Sequence, residues 1–308
     1  MTEEEEVPGV LAAPPAADVG LMVVALVAVS TSGPLMAATA APTLAIAFWR
    51  NAMASGLLVP WSLVRHRDEL AGLDARERRL AVVAGVFLAV HFGTWVPSLG
   101  FTSVSSATAL VSTQPVWAAL LARRAGHVIP RRAWFGIVVA VVGASLVTGV
   151  DVTVSTRALA GDLLAIVGGL FAAAYMVAGG QVRRSVSTTT YTTVCYLTTA
   201  VALLLACLVG GQQLVGYSGN AWLKLVAVTV GAQFLGHSLF NRVLRTTSPT
   251  IVSLSILFEV PGATLIAAIW LHQHPHPAAI PGLLLIIAGV GAVITTRDRA
   301  VAPAVPAE

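Results

Sequence analysis

The sequence predicts an all-α integral membrane protein with ten transmembrane helices, arranged as two inverted five-helix repeats. Three observations predict this fold class: an apolar composition, ten long apolar segments, and a repeat that relates the two halves of the chain. Of the 308 residues, 56% are hydrophobic and only 10% are charged, whereas soluble domains carry about 25% charged residues. A soluble fold of this size could not bury so much apolar surface, so the composition excludes that class.

Ten apolar segments are long enough to cross a bilayer as helices. Each transmembrane helix needs about 20 apolar residues, and polar, Pro- or Gly-bearing connections separate most of the segments. Strands of a membrane barrel are much shorter, so the segments are predicted to be helices. The predicted spans are 19–39, 42–63, 80–99, 102–122, 132–149, 160–181, 188–210, 221–243, 248–271 and 279–296.

The positions of basic residues predict the orientation. Of the 18 Lys and Arg residues, all but three fall on one side of a ten-span arrangement. The exceptions are Arg157 and Lys224 on the other side and Arg50 within span 2. Cytoplasmic loops of membrane proteins are enriched in Lys and Arg, so both termini are predicted to be cytoplasmic.

The chain divides into two tails and two helical units. Residues 1–18 are acidic and rich in Pro and Ala, and they lack the basic region of a signal peptide. We expect them to form a disordered cytoplasmic tail. The first five-helix unit is predicted over 19–150 and the second over 159–296, and residues 297–308 form the other cytoplasmic tail.

A shift of 146 residues aligns spans 3–5 with spans 8–10 without gaps. Because each unit has an odd number of spans, the second unit is predicted to be upside down relative to the first. Inverted repeats are a transporter architecture, with the substrate site near the midplane between them. The shift pairs Gly85 with Gly231, His91 with His237, Pro115 with Pro261, Gly136 with Gly282, and Gly143 with Gly289.

Two charged side chains lie deep in the predicted membrane region, Glu259 in span 9 and Arg50 in span 2. A charge at the bilayer centre costs at least about 2.5–3.5 kcal/mol, and such residues face the bundle interior and commonly pair. One interpretation is a structural Arg50–Glu259 bridge, or separate capping of each by the backbone. The other is that Arg50 or Glu259 faces a cavity and binds a charged group of a substrate, where Glu259 could also exchange protons.

Polar and aromatic side chains recur at repeat-related positions. His91 and Trp95 are one turn apart on span 3, and His237 and Asn241 hold the corresponding places on span 8, so each pair shares a helix face. Thr113 is the repeat partner of the deep carboxylate. We treat all five, with the two deep charges, as candidate substrate-binding residues. The alternative for these side chains is packing between helices.

Proline and glycine inside predicted spans mark candidate hinges. Proline within a membrane helix frees the carbonyl one turn back. Pro115 and Pro261 occupy matching places in spans 4 and 9, while Gly33 and Pro34 suggest a locally broken span 1. Each is a candidate hinge, with a fixed kink as the alternative.

The sequence shows no pattern typical of a cofactor, metal or catalytic centre. A loop carries His272, His274 and His276, but alternate spacing with two prolines gives no ligand geometry, so we expect no metal there. A phosphate-binding loop, a nucleophile triad and a two-Cys zinc pair are all missing from the sequence. We therefore expect no cofactor and no enzymatic activity.

Four stretches carry a resemblance to a known family: AFWRNA (47–52), HFGTWVPSLGFTSVSSATALVSTQPVWAAL (91–120), GHSLFN (236–241) and LFEVPG (257–262). With them, the chain resembles the EamA family of the drug/metabolite transporter superfamily over about 20–296. The resemblance implies ten helices in two inverted halves and a bacterial inner-membrane carrier that exports amino acids or other small metabolites. One departure concerns a glutamate that the family carries nine residues before the glycine of each repeat's last helix. Here those positions are His127 and Gln273.

We therefore expect a secondary active transporter that moves a small metabolite by alternating access, with export and proton coupling as further expectations. Its expected partners are a small-molecule substrate, the lipid bilayer and protons, with no nucleic acid, and the chain is expected to act as a monomer or homodimer. Two alternatives belong to other classes. A membrane enzyme acting on a lipid-linked substrate would need acids or histidines clustered at one interface, and a receptor or scaffold would move nothing.

Overall fold

The computed structural model describes residues 14–149, 155–273 and 279–294. Within these ranges the chain forms helices and short connections, and no β-strand occurs. The tails predicted for 1–18 and 297–308 lie largely outside the described residues, but the first helix already begins at Ala16.

The helices follow the ten predicted segments closely. The first half contains α1 (Ala16–Ser30), α2 (Ser32–Ala37), α3 (Thr43–Arg65), α4 (Arg67–Gly72), α5 (Ala75–Ser98), α6 (Val104–Val111), α7 (Gln114–Arg124) and α8 (Arg131–Gly149). The second half contains α9 (Thr156–Val182), α10 (Thr188–Val209), α11 (Gly219–Val228), a π-helical segment (Thr229–Ser238), α12 (Leu239–Val243), α13 (Pro249–Ile256), α14 (Glu259–Trp270) and α15 (Ala279–Ile294). The short helix α4 lies in the connection between predicted spans 2 and 3.

Six stretches of helix among the described residues are long and apolar enough to cross a membrane. They are Ala16–Ala37, Ala75–Ser98, Thr156–Val182, Thr188–Val209, Gly219–Val243 and Pro249–Trp270. The protein is therefore embedded in a membrane, and the total of ten spans stays a prediction.

The outer faces of the helices are apolar, as contact with lipid requires. Leu57, Leu163, Leu205, Leu265 and Ile269 are each more than half exposed, with relative exposures of 65%, 56%, 59%, 61% and 70%. Soluble monomers rarely expose contiguous apolar patches of more than a few hundred Å². The interior is also mainly apolar, but it encloses large polar side chains, and Arg50, Tyr175, Tyr191 and Tyr196 head the largest fully buried side chains.

Three predicted spans are broken near their middle, and each break lies beside a proline. The breaks fall at Thr31 between α1 and α2, at Ser112–Thr113 between α6 and α7, and at Leu257–Phe258 between α13 and α14. Pro115 is the second residue of α7 and Pro261 the third residue of α14, while Gly33 and Pro34 lie inside α2. Because proline has no N–H to donate to the residue four positions earlier, the helix is weakened at each of these points.

Helices α8 and α15 meet through glycines that the repeat relates to each other. A Cβ on Gly143 would lie 2.6 Å from the carbonyl oxygen of Gly282, and a Cβ on Gly289 would lie 2.5 Å from that of Gly136. The shift of 146 residues relates Gly143 to Gly289 and Gly136 to Gly282, so each contact is the repeat-related copy of the other. The two helices are antiparallel, because the earlier glycine of α8 contacts the later glycine of α15. An inverted repeat would produce such a contact, and the inverted arrangement of the whole units stays a prediction.

The helix ends fall into two groups that match the predicted sides of the membrane. Three hydrogen bonds link helix ends that are predicted to face away from the cytoplasm: Lys224 with Ala38, Arg157 with Gly100, and Gln273 with Val104. Other hydrogen bonds link helix ends that are predicted to be cytoplasmic: Asp18 with Thr246, Glu77 with Ser185, and Glu69 with Ser187 and Thr190. Gln273 thus accepts a hydrogen bond from the first N–H of α6, at one position where the resemblance implies glutamate.

Glu69 in α4 connects the two halves at the predicted cytoplasmic end. Its carboxylate accepts hydrogen bonds from the backbone N–H and the hydroxyl of Ser187 and from the hydroxyl of Thr190, each at 2.6 Å. Partial burial alone would raise the pKa of Glu69, but these hydrogen bonds outweigh it and lower the pKa below its ordinary value. The ionised carboxylate therefore stabilises the start of α10 against the first half of the chain.

Candidate functional site

A small central cavity lies where the broken helices of both halves meet. Its lining comes from α1 and α2, α5, the α6–α7 and α13–α14 pairs, α9, and the π-helical segment with α12. It offers about 30 Å³ that the centre of a water molecule can reach, which is room for about two waters. The lining residues are Val29, Ser32, His91, Trp95, Val111, Gln114, Ala172, Tyr175, Met176, His237, Phe240, Ile256 and Glu259.

Glu259 is the one acidic residue among the lining residues described, and the break in its span positions it there. It is the first residue of α14, directly after Leu257 and Phe258 interrupt the helix. In the first turn of α14 the carboxylate is close to the positive end of the helix dipole, which favours a negative charge, while the N–H groups of Val260 and Gly262 already donate to Leu257 O and Phe258 O. Glu259 is only 6% exposed, and no described residue donates a hydrogen bond to its carboxylate. The carboxylate is thus placed at the cavity with its hydrogen-bonding capacity free.

Arg50 lies behind the cavity wall, where neutral groups bind its guanidinium. The side chain is fully buried. Its Nε donates to Gln233 Oε1 at 3.0 Å and its Nη1 donates to Ser32 Oγ at 3.4 Å. The guanidinium carbon also lies 4.1 Å from the ring centroid of Phe92, a cation–π contact. Nη2 is buried without a partner among the described residues.

Arg50 and Glu259 do not form a direct ion pair. The ion pairs with N···O of 4.0 Å or less between described residues are His66–Glu69 and Arg67–Asp68, both near the helix ends. Of the two interpretations of the deep charges, the direct bridge is therefore not formed in this conformation. Glu259 borders the cavity, whereas Arg50 is not among the residues that line it.

The π-helical segment supplies the partner that Arg50 needs. Gln233 lies within this segment and is fully buried. While its oxygen accepts from Arg50, its Nε2 donates to Asn51 Oδ1 at 3.0 Å, and Asn51 Nδ2 donates in turn to Ala47 O at 2.9 Å. This network joins the two halves of the chain through side chains, and π-helical turns of this kind are frequent at functional sites.

His91 and His237, which the repeat relates, approach each other at the cavity with ring centroids 6.3 Å apart. His91 Nδ1 is hydrogen-bonded to Gly168 O at 2.9 Å, and its ring stacks on Trp95 with centroids 5.5 Å apart and an interplanar angle of 16°. His237 packs edge-on against Phe92, and its Nδ1 is buried without a partner among the described residues. The Nε1 of Trp95 is likewise buried without a partner among the described residues. Two unsatisfied nitrogens therefore lie in side chains that border the cavity.

Asn241 and Thr113 are not among the residues that line the cavity, although Asn241 binds the lining residue Tyr175 and Thr113 directly precedes the lining residue Gln114. Asn241 is fully buried, and its Oδ1 accepts from the hydroxyl of Tyr175 at 2.7 Å. Thr113 forms the break before α7, where its hydroxyl donates to Leu110 O at 2.8 Å. The next residue, Gln114, borders the cavity and donates through Nε2 to Ser253 Oγ at 2.9 Å.

Several cavity residues have no distinguishing signal in the sequence. Tyr175 and Met176 lie in α9, a span whose register with span 1 the repeat does not define. Ser32 and Gln114 differ from these two, because each lies beside a break in its span, and this position could have indicated that they line a cavity. Of the histidine tract in the outer loop, only His272 is described, whereas His274 and His276 lie outside the described residues.

A bundle of lipid-facing helices with a small polar cavity between broken helices is the arrangement of a membrane transporter. The model of the EamA-like transporter family matches residues 18–149 and 159–295. This chain belongs to that family, which is one of membrane transporters.

Comparison with solved structures supports the fold alone. Matches are found to 28 solved chains. One of them, a crystal structure described only as that of a protein, has a TM-score of 0.71 at 17% sequence identity. The match covers 90% of this chain and 97% of that one. No curated protein matches the sequence.

Proposed function

We propose that this protein is a secondary active transporter that moves a small metabolite, an amino acid or related compound, by alternating access. One observation carries the proposal: the free Glu259 carboxylate borders a cavity that residues of both halves enclose. A mostly apolar and aromatic pocket with a few polar groups, here the Glu259 carboxylate with Ser32, Gln114 and the two histidines, is the usual form of a small-molecule site. The family supplies the class of protein, and the cavity supplies the place where a substrate would bind.

The cavity favours a substrate with an amino group. Glu259 is available to bind an ammonium, and charge-assisted hydrogen bonds of this type are about twice as strong as neutral ones. Trp95 and Tyr175 add aromatic rings to the lining, which can stabilise a nearby cation through their faces. Arg50 does not line the cavity, so its Nη2, which has no partner among the described residues, would contact a substrate carboxylate only after a rearrangement of α2 or the π-helical segment.

The size of the cavity and the breaks around it support alternating access. Space for about two waters is too small for an amino acid, so a substrate requires a conformation in which the cavity is wider. The three broken spans are where such a change would be absorbed, since hinges are a few element-terminal residues that accommodate large backbone changes. Gly33, Pro34, Pro115 and Pro261 are the candidate hinge residues at these breaks.

We further propose export across the bacterial inner membrane, with both termini in the cytoplasm. The family resemblance supports the direction, and the distribution of arginines supports the orientation. Proton coupling would use Glu259 as the group that exchanges a proton for the substrate. If transport persists in Glu259→Gln but loses its pH dependence, coupling through this residue is supported, and an unchanged pH dependence would contradict it.

The proposal is tested by transport with the purified protein. Metabolites are first compared inside and outside cells that contain or lack the protein, and compounds that change are then tested in liposomes. We expect saturable flux of at least one amine-bearing compound in protein-containing liposomes and none in empty ones. A lack of flux across a broad panel of such compounds would contradict a transport function.

A further inference from the structure

A second cavity lies at the predicted cytoplasmic end of the bundle and shares no lining residue with the central one. Its volume is about 360 Å³, so in contrast to the central cavity it can hold a group much larger than water. Residues at the start of α1 and α10 and at the ends of α9 and α12 form it. They are Asp18, Arg183, Ser187, Thr188, Thr189, Arg242, Arg245 and Thr246, and we call this cavity the arginine pocket.

Arg183 is a buried and oriented cation in the arginine pocket. It is only 4% exposed. Its Nε donates to Asn241 O at 2.9 Å, and its Nη1 donates to Val186 O. Burial, and next the positive charge of Arg245, lower the pKa of Arg183 to about 10, so the side chain is still charged at neutral pH. No described carboxylate lies within 4.0 Å of it.

The arginine pocket carries an excess of positive charge. Three arginines line it, and Asp18 is the one carboxylate among its lining residues. That carboxylate already accepts hydrogen bonds from the hydroxyls of Thr246 and Thr247. Glu69 lies close to the start of α10, but Ser187 and Thr190 occupy its oxygens. Asp18 and Glu69 offset the positive charge only in part, because neither forms an ion pair within 4.0 Å with any of the three arginines.

The first turn of α10 adds further attraction for an anion. This helix has 22 residues, and its Ser187 cap satisfies the N–H of Thr190. Thr188 and Thr189, which precede Thr190 in the same turn, both line the arginine pocket. The N–H groups and the positive end of the helix dipole favour anions at such a position, and Glu69 already uses part of this attraction through the N–H of Ser187.

Membrane orientation alone does not explain this arrangement. The positive-inside rule requires arginines in short loops near the membrane, and the exposed Arg242 and Arg245 satisfy it. It does not require a third guanidinium that is buried beneath them, fixed by two carbonyl groups, and directed to the same cavity. Such an arrangement is typical of a binding site, because the planar guanidinium matches the oxygens of phosphate.

We propose that the arginine pocket binds a phosphate-type oxyanion. The source is either the head group of an anionic phospholipid in the adjacent leaflet or a free phosphate. Basic pockets between transmembrane helices are known to bind lipid phosphates, and the bidentate geometry of arginine makes phosphate a better fit than chloride. This site is independent of the central cavity and of what that cavity transports.

The test measures binding to the full-length protein after it has been delipidated in detergent. The probes are phosphatidylglycerol, phosphatidylcholine with the same acyl chains, and inorganic phosphate alone, each titrated and followed by native mass spectrometry. Arg242→Gln and Arg245→Gln remove exposed charges and leave Arg183 in place. The matched control is Arg124→Gln, because Arg124 is an exposed arginine on the same predicted side and outside the pocket. Melting curves establish that each variant is folded.

We expect wild-type protein to bind phosphatidylglycerol or phosphate saturably and phosphatidylcholine weakly. Each pocket substitution should weaken anion binding about fivefold, since a basic residue near an anionic head group contributes that much, and Arg124→Gln should leave it unchanged. Binding of the lipid without free phosphate would identify the head group, and binding of both would identify phosphate itself. Equal binding of the two lipids with no phosphate bound, or folded pocket variants that bind as the wild type does, would overturn the proposal.

Discussion

Gln233, rather than Glu259, is expected to stabilise the buried charge of Arg50. Gln233→Leu would remove two hydrogen bonds of 3.0 Å, one from Arg50 Nε and one to Asn51 Oδ1. Both groups are fully buried, and an unsatisfied buried group costs about 1–3 kcal/mol, with more for a charged one. The expected loss in the free energy of unfolding is therefore about 2–5 kcal/mol.

Glu259→Gln is expected to cost less than about 1 kcal/mol, because among the described residues none forms a hydrogen bond or a close ion pair with the carboxylate. If Glu259 paired directly with Arg50, removing it would instead cost about 3–5 kcal/mol. The two substitutions thus distinguish a neutral network from a salt bridge.

The assay is thermal unfolding of the purified variants in one detergent at one heating rate. With about 2–4 °C per kcal/mol for chains of 150–250 residues, Gln233→Leu should lower the melting temperature by about 4–20 °C, and Glu259→Gln by less than about 4 °C. Gln213→Leu, an exposed control, should change it little. A melting temperature that falls as far in Glu259→Gln as in Gln233→Leu would refute the reasoning.

Two further predictions concern the contacts between the halves. Gly143→Ala should destabilise the protein by about 1–3 kcal/mol, because its Cβ would lie 2.6 Å from the backbone oxygen of Gly282. Gly56→Ala is the control, since a Cβ on Gly56 would have nothing within 4 Å. Equal melting temperatures of the two variants would contradict the close contact between α8 and α15. Glu69→Gln should lower the melting temperature at neutral pH, whereas Asp68→Asn, fully exposed, should not. Because folding lowers the pKa of Glu69, its contribution is present above the pKa of the unfolded chain and is lost as pH falls through the lower folded value. The difference between wild type and Glu69→Gln should therefore shrink in acid, and a difference that grows there would show that the sign is wrong.

The sequence predicts the helices and the family well because those depend on local information. Apolar length defines the segments, and the prolines at 115 and 261 mark where helices break. The repeat indicates that His91 and His237 are related, and the structure brings both to one cavity. Membership of the transporter family confirms the resemblance drawn from the motifs.

The sequence could not indicate which polar side chains face the cavity and which lie behind it. Arg50 and Asn241 look like binding residues because they are polar and deep, yet their orientation depends on neighbours distant in sequence. Arg50 is directed to Gln233 by a π-helical segment, and no hydrophobic pattern predicts that irregularity. Tyr175 lines the cavity, and its hydroxyl donates to Asn241, a contact 66 positions apart in sequence.

Transport by Glu259→Gln in liposomes is the most direct test of the proposed site. The substrate is the compound identified by the metabolite comparison, and Asp68→Asn serves as the exposed acidic control. Loss of a charge-assisted hydrogen bond of about 1.5–3 kcal/mol should weaken substrate affinity by about tenfold or more while the melting temperature stays near that of the wild type. Wild-type affinity and rate in a folded Glu259→Gln variant would contradict the claim that this carboxylate recognises the substrate.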